Sequence, residues 1–176
     1  LAYAHESGFV HRDIKPENAF MLTDGRVKIM DFGIATKGGG NKEGRVLGTP
    51  YYMAPEQICN LELDGRCDLY ALGILAYELV TQEVPFDAES IQDLFRKHIH
   101  SPMPDPRKIV PELPEDLYEF IMTSTQKAPT DRFPDCSVAA SFLKAASEVP
   151  VLDRFGMSTL SATYHESRRD EVISIL

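Results

Sequence analysis

The chain has 176 residues, of which 43% are hydrophobic and 26% are charged, a composition typical of one folded domain with a sizeable core. Its 27 acidic residues outnumber 18 basic ones and give a net charge of -9, which argues against a general nucleic-acid-binding protein. The three cysteines are widely spaced without a CxxC pair, which argues against a disulfide framework or a zinc site and favours the reducing cytoplasm.

The first half of the chain predicts loops and one hairpin. Residues 1–8 are typical of the last turns of a helix whose beginning is missing, so we expect a fragment of a longer protein. A polar loop is predicted at residues 9–18. Two apolar runs, at residues 19–22 and 27–30, flank an Asp-Gly turn and predict a β-hairpin. The glycine-rich residues 34–48 predict a mobile loop.

The second half predicts a helical lobe. Residues 68–82 are apolar on nearly all faces, which predicts a helix buried on several sides. This run is interrupted by Glu78 and is too short to span a bilayer, so we expect no membrane contact from this segment. Further helices are predicted at residues 90–99, 115–126 and 135–146. Residues 149–176 carry few apolar anchors and are predicted to be a linker or weakly docked tail, after a domain at residues 1–148.

Three short motifs follow one another along the chain. They are HRDIKPEN at residues 11–18, DFG at residues 31–33 and APE at residues 54–56. Each is weak alone, but their order, with the hairpin between the first two, makes coincidence a poor explanation. In these motifs the chain resembles the protein kinase family of the serine/threonine type. The resemblance implies a mainly α fold with a small β-hairpin, the C-terminal lobe of the two-lobed α+β kinase fold.

The resemblance implies roles for four polar residues. Asp13 would accept the proton of the substrate hydroxyl, and Lys15 would reach the transferred phosphate of ATP. A Lys at this position is typical of serine/threonine kinases, so the expected acceptor is Ser or Thr of a protein substrate. Asn18 and Asp31 carry the hard oxygen ligands that Mg²⁺ prefers, so ATP and Mg²⁺ are the expected cofactors.

Further residues are expected to support the site. Thr49 precedes the APE motif in the segment that shapes the substrate groove in this family, and we expect it to hydrogen-bond near the catalytic residues. The resemblance also implies a buried ion pair between Arg132 and Glu56. Asp68 is expected to anchor the backbone of the catalytic loop, which is the HRDIKPEN segment at residues 11–18. His11 is expected to pack rather than act in acid-base chemistry.

Arg12 resembles the family subset in which this Arg meets a phosphorylated residue of the activation loop. Between Lys37 and Gly48 this sequence has no Ser, Thr or Tyr. We therefore hypothesise that Glu43 partly neutralises Arg12 without phosphorylation. A solvated Glu43 without a specific role is the alternative.

Two functions remain open from the sequence. The run DLYALG at residues 68–73 and the absence of Trp resemble bacterial eukaryotic-type kinases. The family's Gly-rich loop and phosphate-gripping Lys lie upstream of the catalytic loop, and the glycines at residues 38–40 cannot replace them because they follow Asp31. The chain is therefore expected to be a kinase fragment that is inactive alone. The alternative is a truncated or pseudokinase-like scaffold that binds proteins, and the intact catalytic residues favour the enzyme.

A third class is a phosphotransferase acting on small molecules. It is disfavoured because GTP at residues 48–50, leading into the APE motif, matches the groove for a protein substrate.

Overall fold

The computed structural model describes residues 1–23, 27–31, 36–37, 49–147, 170 and 172–176. The helices and strands in chain order are α1 (Ala2–Glu6), β1 (Phe9–Val10), β2 (Ala19–Met21), β3 (Val27–Ile29), β4 (Thr36–Lys37), α2 (Pro55–Ile58), α3 (Arg66–Thr81), α4 (Ile91–His100), α5 (Glu115–Ser124) and α6 (Cys136–Ser147). Single 3-10 turns lie at Pro16–Asn18, Pro50–Tyr52, Pro106–Lys108 and Pro129–Asp131. The expectation of a mainly helical protein with a small hairpin is confirmed.

Helix α3 forms the centre of the core. Thirteen of its sixteen residues are buried, as predicted for a helix that is apolar on nearly all faces. Helix α5 crosses α3 at Gly73, where an added Cβ would lie 2.8 Å from both Ser124 Cβ and Thr125 Cγ2. The glycine therefore permits the close approach of the two helices, and α5 in turn packs on α6.

The predicted hairpin is present. Strands β2 and β3 pair antiparallel, with Ala19 opposite Ile29 and Met21 opposite Val27. The Asp-Gly turn that was predicted to join them lies outside the described residues. A hydrogen bond from the backbone N–H of Met30 to the carbonyl of Asn18, 2.8 Å long, continues the pairing towards the catalytic loop.

The prediction of a polar loop at residues 9–18 was wrong at its first two residues. Phe9–Val10 form β1, which pairs antiparallel with β4 at Thr36–Lys37. Strand β4 also falls within the predicted mobile loop, the remainder of which lies beyond the described ranges. Two residues carry little strand signal by themselves, and the pairing exists because the fold brings distant backbone segments together.

The four longer helices agree with the predicted ones to within two residues. Ser90 is the N-cap of α4, since its side chain accepts a hydrogen bond from the backbone N–H of Asp93. Helix α3 begins two residues earlier than predicted because the Asp64 carboxylate accepts from the N–H of Arg66. No helix within the described ranges is long and apolar enough to cross a membrane.

A helical turn at residues 172–175 packs against the β2–β3 hairpin and α3. Val172 and Ile175 are buried, and Ile175 lines an apolar groove together with Val27, Leu75 and Leu79. The turn also meets the start of α1, since the N–H of Ala2 donates to the carbonyl of Leu176 over 2.9 Å. Most of the predicted linker or tail, which includes residues 149–169, lies outside the described residues.

Candidate active site

The Asp13 carboxylate lies at the centre of the site, and both of its oxygens are held. Oδ1 accepts from the backbone N–H of Thr49 at 2.8 Å and from its hydroxyl at 2.9 Å. Oδ2 lies 2.9 Å from the Lys15 ammonium and 3.3 Å from the side-chain amide nitrogen of Asn18. The structure thus brings four of the predicted site residues together and leaves the Asp13 carboxylate little rotational freedom.

The charge around Asp13 favours its ionised form. Partial burial raises the pKa of the Asp13 carboxyl, but the hydrogen bonds from Lys15 and Thr49 and the Lys15 charge outweigh burial. The net effect is a pKa below the usual value for Asp. Asp13 is consequently a carboxylate at neutral pH and accepts hydrogen bonds without donating any.

Asn18 and Asp31 lie at the same end of the hairpin, because the Asn18 carbonyl accepts from Met30, the residue before Asp31. The side-chain nitrogen of Asn18 donates to the Asp13 carbonyl at 2.8 Å, so the amide oxygen is the atom of this side chain that could coordinate a cation. Asp31 is exposed and has a left-handed backbone with φ of 60°. An amide oxygen and an accessible carboxylate in this arrangement fit Mg²⁺, which takes few protein ligands beside phosphate oxygens and water.

A buried carboxylate anchors the backbone of the catalytic loop. Asp68 on α3 accepts from the N–H of His11 at 2.8 Å and from the N–H of Arg12 at 2.7 Å. Arg12 has φ of 70°, a left-handed conformation that costs a non-glycine residue about 1 kcal/mol or more. The two hydrogen bonds offset this cost and direct the next residue, Asp13, towards Thr49.

The side chains of the two anchored residues differ in their contacts. The His11 ring accepts from the backbone N–H of Asp13 at Nδ1, over 3.3 Å, and its Nε2 lies 3.0 Å from the Met30 carbonyl, so both nitrogens contact backbone groups. The Arg12 guanidinium is buried, and its Nε and one Nη have no hydrogen-bond partner among the described residues. Glu43, the hypothesised partner of Arg12, lies outside the described part of the chain.

Glu56 and Arg132 form a buried ion pair. The two guanidinium Nη atoms approach the two carboxylate oxygens at 2.6 and 2.8 Å. Arg132 also donates to the carbonyls of Gln126, Arg66 and Lys127. This side chain therefore joins the APE segment to the beginning of α3 and to the chain that follows α5.

Two supporting residues were not predicted from the sequence. Gln57 donates to the Arg12 carbonyl at 3.0 Å while its own oxygen accepts from the N–H of Ala54 at 3.0 Å. His5 places Nε2 2.8 Å from Asp68 Oδ2, although the two residues are 63 positions apart. Local patterns contain no signal for either contact, because each depends on which helices pack together.

Comparison with known proteins shows the family to which the chain belongs. A model of the protein kinase domain matches residues 1–144. The chain belongs to the protein kinase domain family.

The similar proteins include bacterial serine/threonine-protein kinases, as the sequence predicted. The chain is 34% identical over 158 residues to PknL of Mycobacterium tuberculosis. This alignment covers 88% of this chain and 40% of PknL. It is 38% identical over 154 residues to Pkn1 of Myxococcus xanthus, in an alignment that covers 83% of this chain and 22% of Pkn1. It is also 34% identical over 156 residues to PrkC of Bacillus subtilis, in an alignment that covers 87% of this chain and 24% of PrkC. The chain spans less than half the length of each of these relatives.

Proposed function

We propose that residues 1–148 form the C-terminal, catalytic-loop lobe of an ATP- and Mg²⁺-dependent protein serine/threonine kinase, followed by a linker or docked tail at residues 149–176. The protein would transfer the γ-phosphoryl group of ATP to a Ser or Thr hydroxyl of a protein substrate in the cytoplasm. The observation that carries this proposal is the fixed Asp13 carboxylate, with Lys15, Asn18 and Thr49 in direct contact with it.

Asp13 would orient the attacking hydroxyl. Phosphoryl transfer needs the acceptor oxygen in line with the phosphorus, so catalysis depends chiefly on positioning and on charge. Because contacts at both oxygens fix the orientation of the Asp13 carboxylate, the hydroxyl that donates its proton to it would be fixed in position as well. Because its pKa is lowered, Asp13 is a weak base, which suits a proton transfer that follows most of the bond formation to phosphorus.

Lys15 and Thr49 would set the charge and shape around that hydroxyl. The Lys15 ammonium is 2.9 Å from the Thr49 hydroxyl and remains partly exposed, so it can also contact a phosphoryl oxygen. A compact cation there stabilises the charge that develops on the transferred group. Thr49 contacts both Asp13 and Lys15, and it therefore couples the substrate segment to the catalytic loop.

Asn18 and Asp31 would hold the metal. When bound, Mg²⁺ neutralises negative charge on the phosphates of ATP. These two residues would also position the metal close to Asp13, since both lie at the hairpin end next to the catalytic loop.

The test is a phosphoryl-transfer assay on the natural protein that contains residues 1–176, with radiolabelled ATP, Mg²⁺ and an added protein substrate. The Asp13→Asn variant should lose about 10²- to 10⁴-fold in kcat while still binding ATP, because the lost group acts during the reaction. Asp64→Asn is the matched control, because Asp64 is exposed and pairs with Arg66 away from the site.

Two outcomes would contradict the proposal. Undiminished transfer by Asp13→Asn would remove Asp13 from the reaction. A natural protein that transfers no phosphate but binds a protein partner equally well with and without the Asp13→Asn change would favour the scaffold function.

A further inference from the structure

A hydrogen-bonded path runs from α6 to the catalytic loop through residues that the proposed reaction does not use. Cys136, the first residue of α6, is fully buried, and its Sγ lies 3.5 Å from Nδ1 of His5 at the end of α1. The other ring nitrogen of His5 lies 2.8 Å from Oδ2 of Asp68. Asp68 in turn holds the backbone N–H groups of His11 and Arg12.

The contacts of His5 determine where its proton lies. Both Asp68 oxygens accept backbone N–H groups and a carboxylate has no proton to donate, so Nε2 is the donor in the 2.8 Å contact with Oδ2. In a neutral imidazole with a proton on Nε2, Nδ1 is a bare acceptor and needs a donor of its own. Within the described part of the chain, the Cys136 thiol is the partner found at Nδ1.

The surroundings keep the ring and the thiol in this arrangement. A Cβ added at Gly65 would collide with the His5 ring at Nδ1, so the imidazole lies directly against the Gly65 backbone. Burial, aided by the nearby Asp68 charge, raises the pKa of the Cys136 thiol to about 12. The thiol therefore keeps its proton at neutral pH and is able to donate it to His5 Nδ1.

We propose that Cys136 is a positioning residue whose thiol holds His5 in the Nε2-protonated tautomer, so that His5 and Asp68 together fix the backbone of residues 11–12. Without a donor at Nδ1, the ring gains from moving its proton to that nitrogen, and the contact with Asp68 then loses its donor. Asp68 would retain the two backbone N–H groups but lose the group that orients its carboxylate. The left-handed Arg12, which directs Asp13, depends on that orientation.

The inference rests on the proposed function only in calling residues 11–18 a catalytic loop, so it can be tested on the isolated chain without a transfer assay. Long-range proton–nitrogen NMR spectra of the nitrogen-labelled chain at neutral pH report which ring nitrogen of His5 carries the proton, and the His5→Gln variant assigns its signals. We expect one protonated nitrogen, Nε2, and a bare Nδ1. Cys136→Ser, which keeps a donor, should preserve this pattern.

Cys136→Ala should move the shifts of the two ring nitrogens towards each other, because both tautomers become populated. The backbone N–H groups of His11 and Arg12 should then exchange with solvent about three- to tenfold faster, as expected from weakening one hydrogen bond. Leu143→Ala is the control, since it opens a cavity in α6 at another buried side chain. It should lower stability and leave the His5 tautomer unchanged.

A proton on Nδ1 in the unaltered chain, on one or both ring nitrogens, would overturn the proposal. So would unchanged ring shifts and exchange rates in Cys136→Ala. If Cys136→Ala does not fold, a proton on Nδ1 of His5 in Cys136→Ser would still overturn the proposal. Neither result depends on phosphoryl transfer, so the outcome is separate from that of the activity assay.

Discussion

The carboxylate of Glu56 and the guanidinium of Arg132 form a two-point ion pair that is almost completely removed from solvent, with side-chain exposures of 5% and 0%. Arg132 also lies over the ring of Tyr70, 4.9 Å from its centre. The pair therefore connects the APE segment at residues 54–56 with the central helix α3. A charge in this position is stable only while its partner remains.

Glu56→Gln should lower the free energy of unfolding by about 3 to 5 kcal/mol, because it leaves the buried Arg132 charge without its counter-ion. Urea unfolding of the chain measures the loss. Glu115→Gln is the control, since Glu115 pairs with Arg107 at the surface and such pairs contribute about 0 to 1 kcal/mol. Equal losses in the two variants would show that the buried Glu56–Arg132 pair contributes no more to stability than a surface ion pair.

Thr49→Val should reduce kcat of the natural protein by about tenfold or more, since Val keeps the shape but removes the hydroxyl between Lys15 and Asp13. Thr49→Ser keeps the hydroxyl and should retain most of the activity. Steady-state phosphoryl transfer compares the two variants. If Val and Ser have the same effect, the hydroxyl is not what couples the substrate segment to the catalytic loop.

His98 should make the fold sensitive to mild acid. Burial, together with the Lys127 charge, lowers the pKa of His98 from 6.5 to about 4. The unfolded chain takes up the proton first, so stability decreases as the pH falls from about 6.5 towards 4. The Tyr70 hydroxyl, 3.0 Å from Nδ1, belongs to the same buried cluster.

Between pH 7 and pH 5, the chain should lose about 2 kcal/mol more stability than His98→Gln loses over the same interval. Urea unfolding at the two pH values gives the difference, and comparison with the variant removes the contribution of other groups. Parallel losses in both proteins would mean that His98 titrates alike in the folded and unfolded chains.

Gly73→Ala should destabilise the chain by about 1 to 3 kcal/mol, because the new methyl group would collide with Ser124 and Thr125. In an exposed helix the same change would stabilise by about 1 kcal/mol, so the sign of the effect tests the close crossing of α3 and α5. Urea unfolding reports that sign. Ser137→Ala, at an exposed position of α6, should be neutral or slightly stabilising. A stabilising Gly73→Ala would contradict the crossing.

Ile175→Asp should lower the stability of the chain by about 2 kcal/mol or more, since Ile175 is buried in the groove beside Leu75 and Leu79. Ser174→Asp adds the same charge at the neighbouring exposed position and should have little effect. Thermal unfolding compares the two. Similar unfolding temperatures for the two variants would show that residues 172–175 do not stabilise the fold.

Much of the fold could be predicted from the sequence because the signals were local. The alternation of apolar runs around a turn predicted the hairpin, and a run that is apolar on all faces predicted the buried α3. The motifs around Asp13, Asp31 and Glu56 predicted the family. Each of these signals lies within a short window of the chain, where side-chain type and spacing are sufficient.

The tertiary structure alone decided which distant groups meet. The sequence contained no signal that β1 would pair with β4, that Gln57 would hold the Arg12 carbonyl, or that Cys136 would reach His5 across 131 positions. Such contacts depend on how α1, α3 and α6 pack, and a buried polar group is stable only where packing supplies its partner. The sequence by itself therefore determined the elements and the residue types of the site, whereas the packing of helices around α3 determined the geometry that holds Asp13.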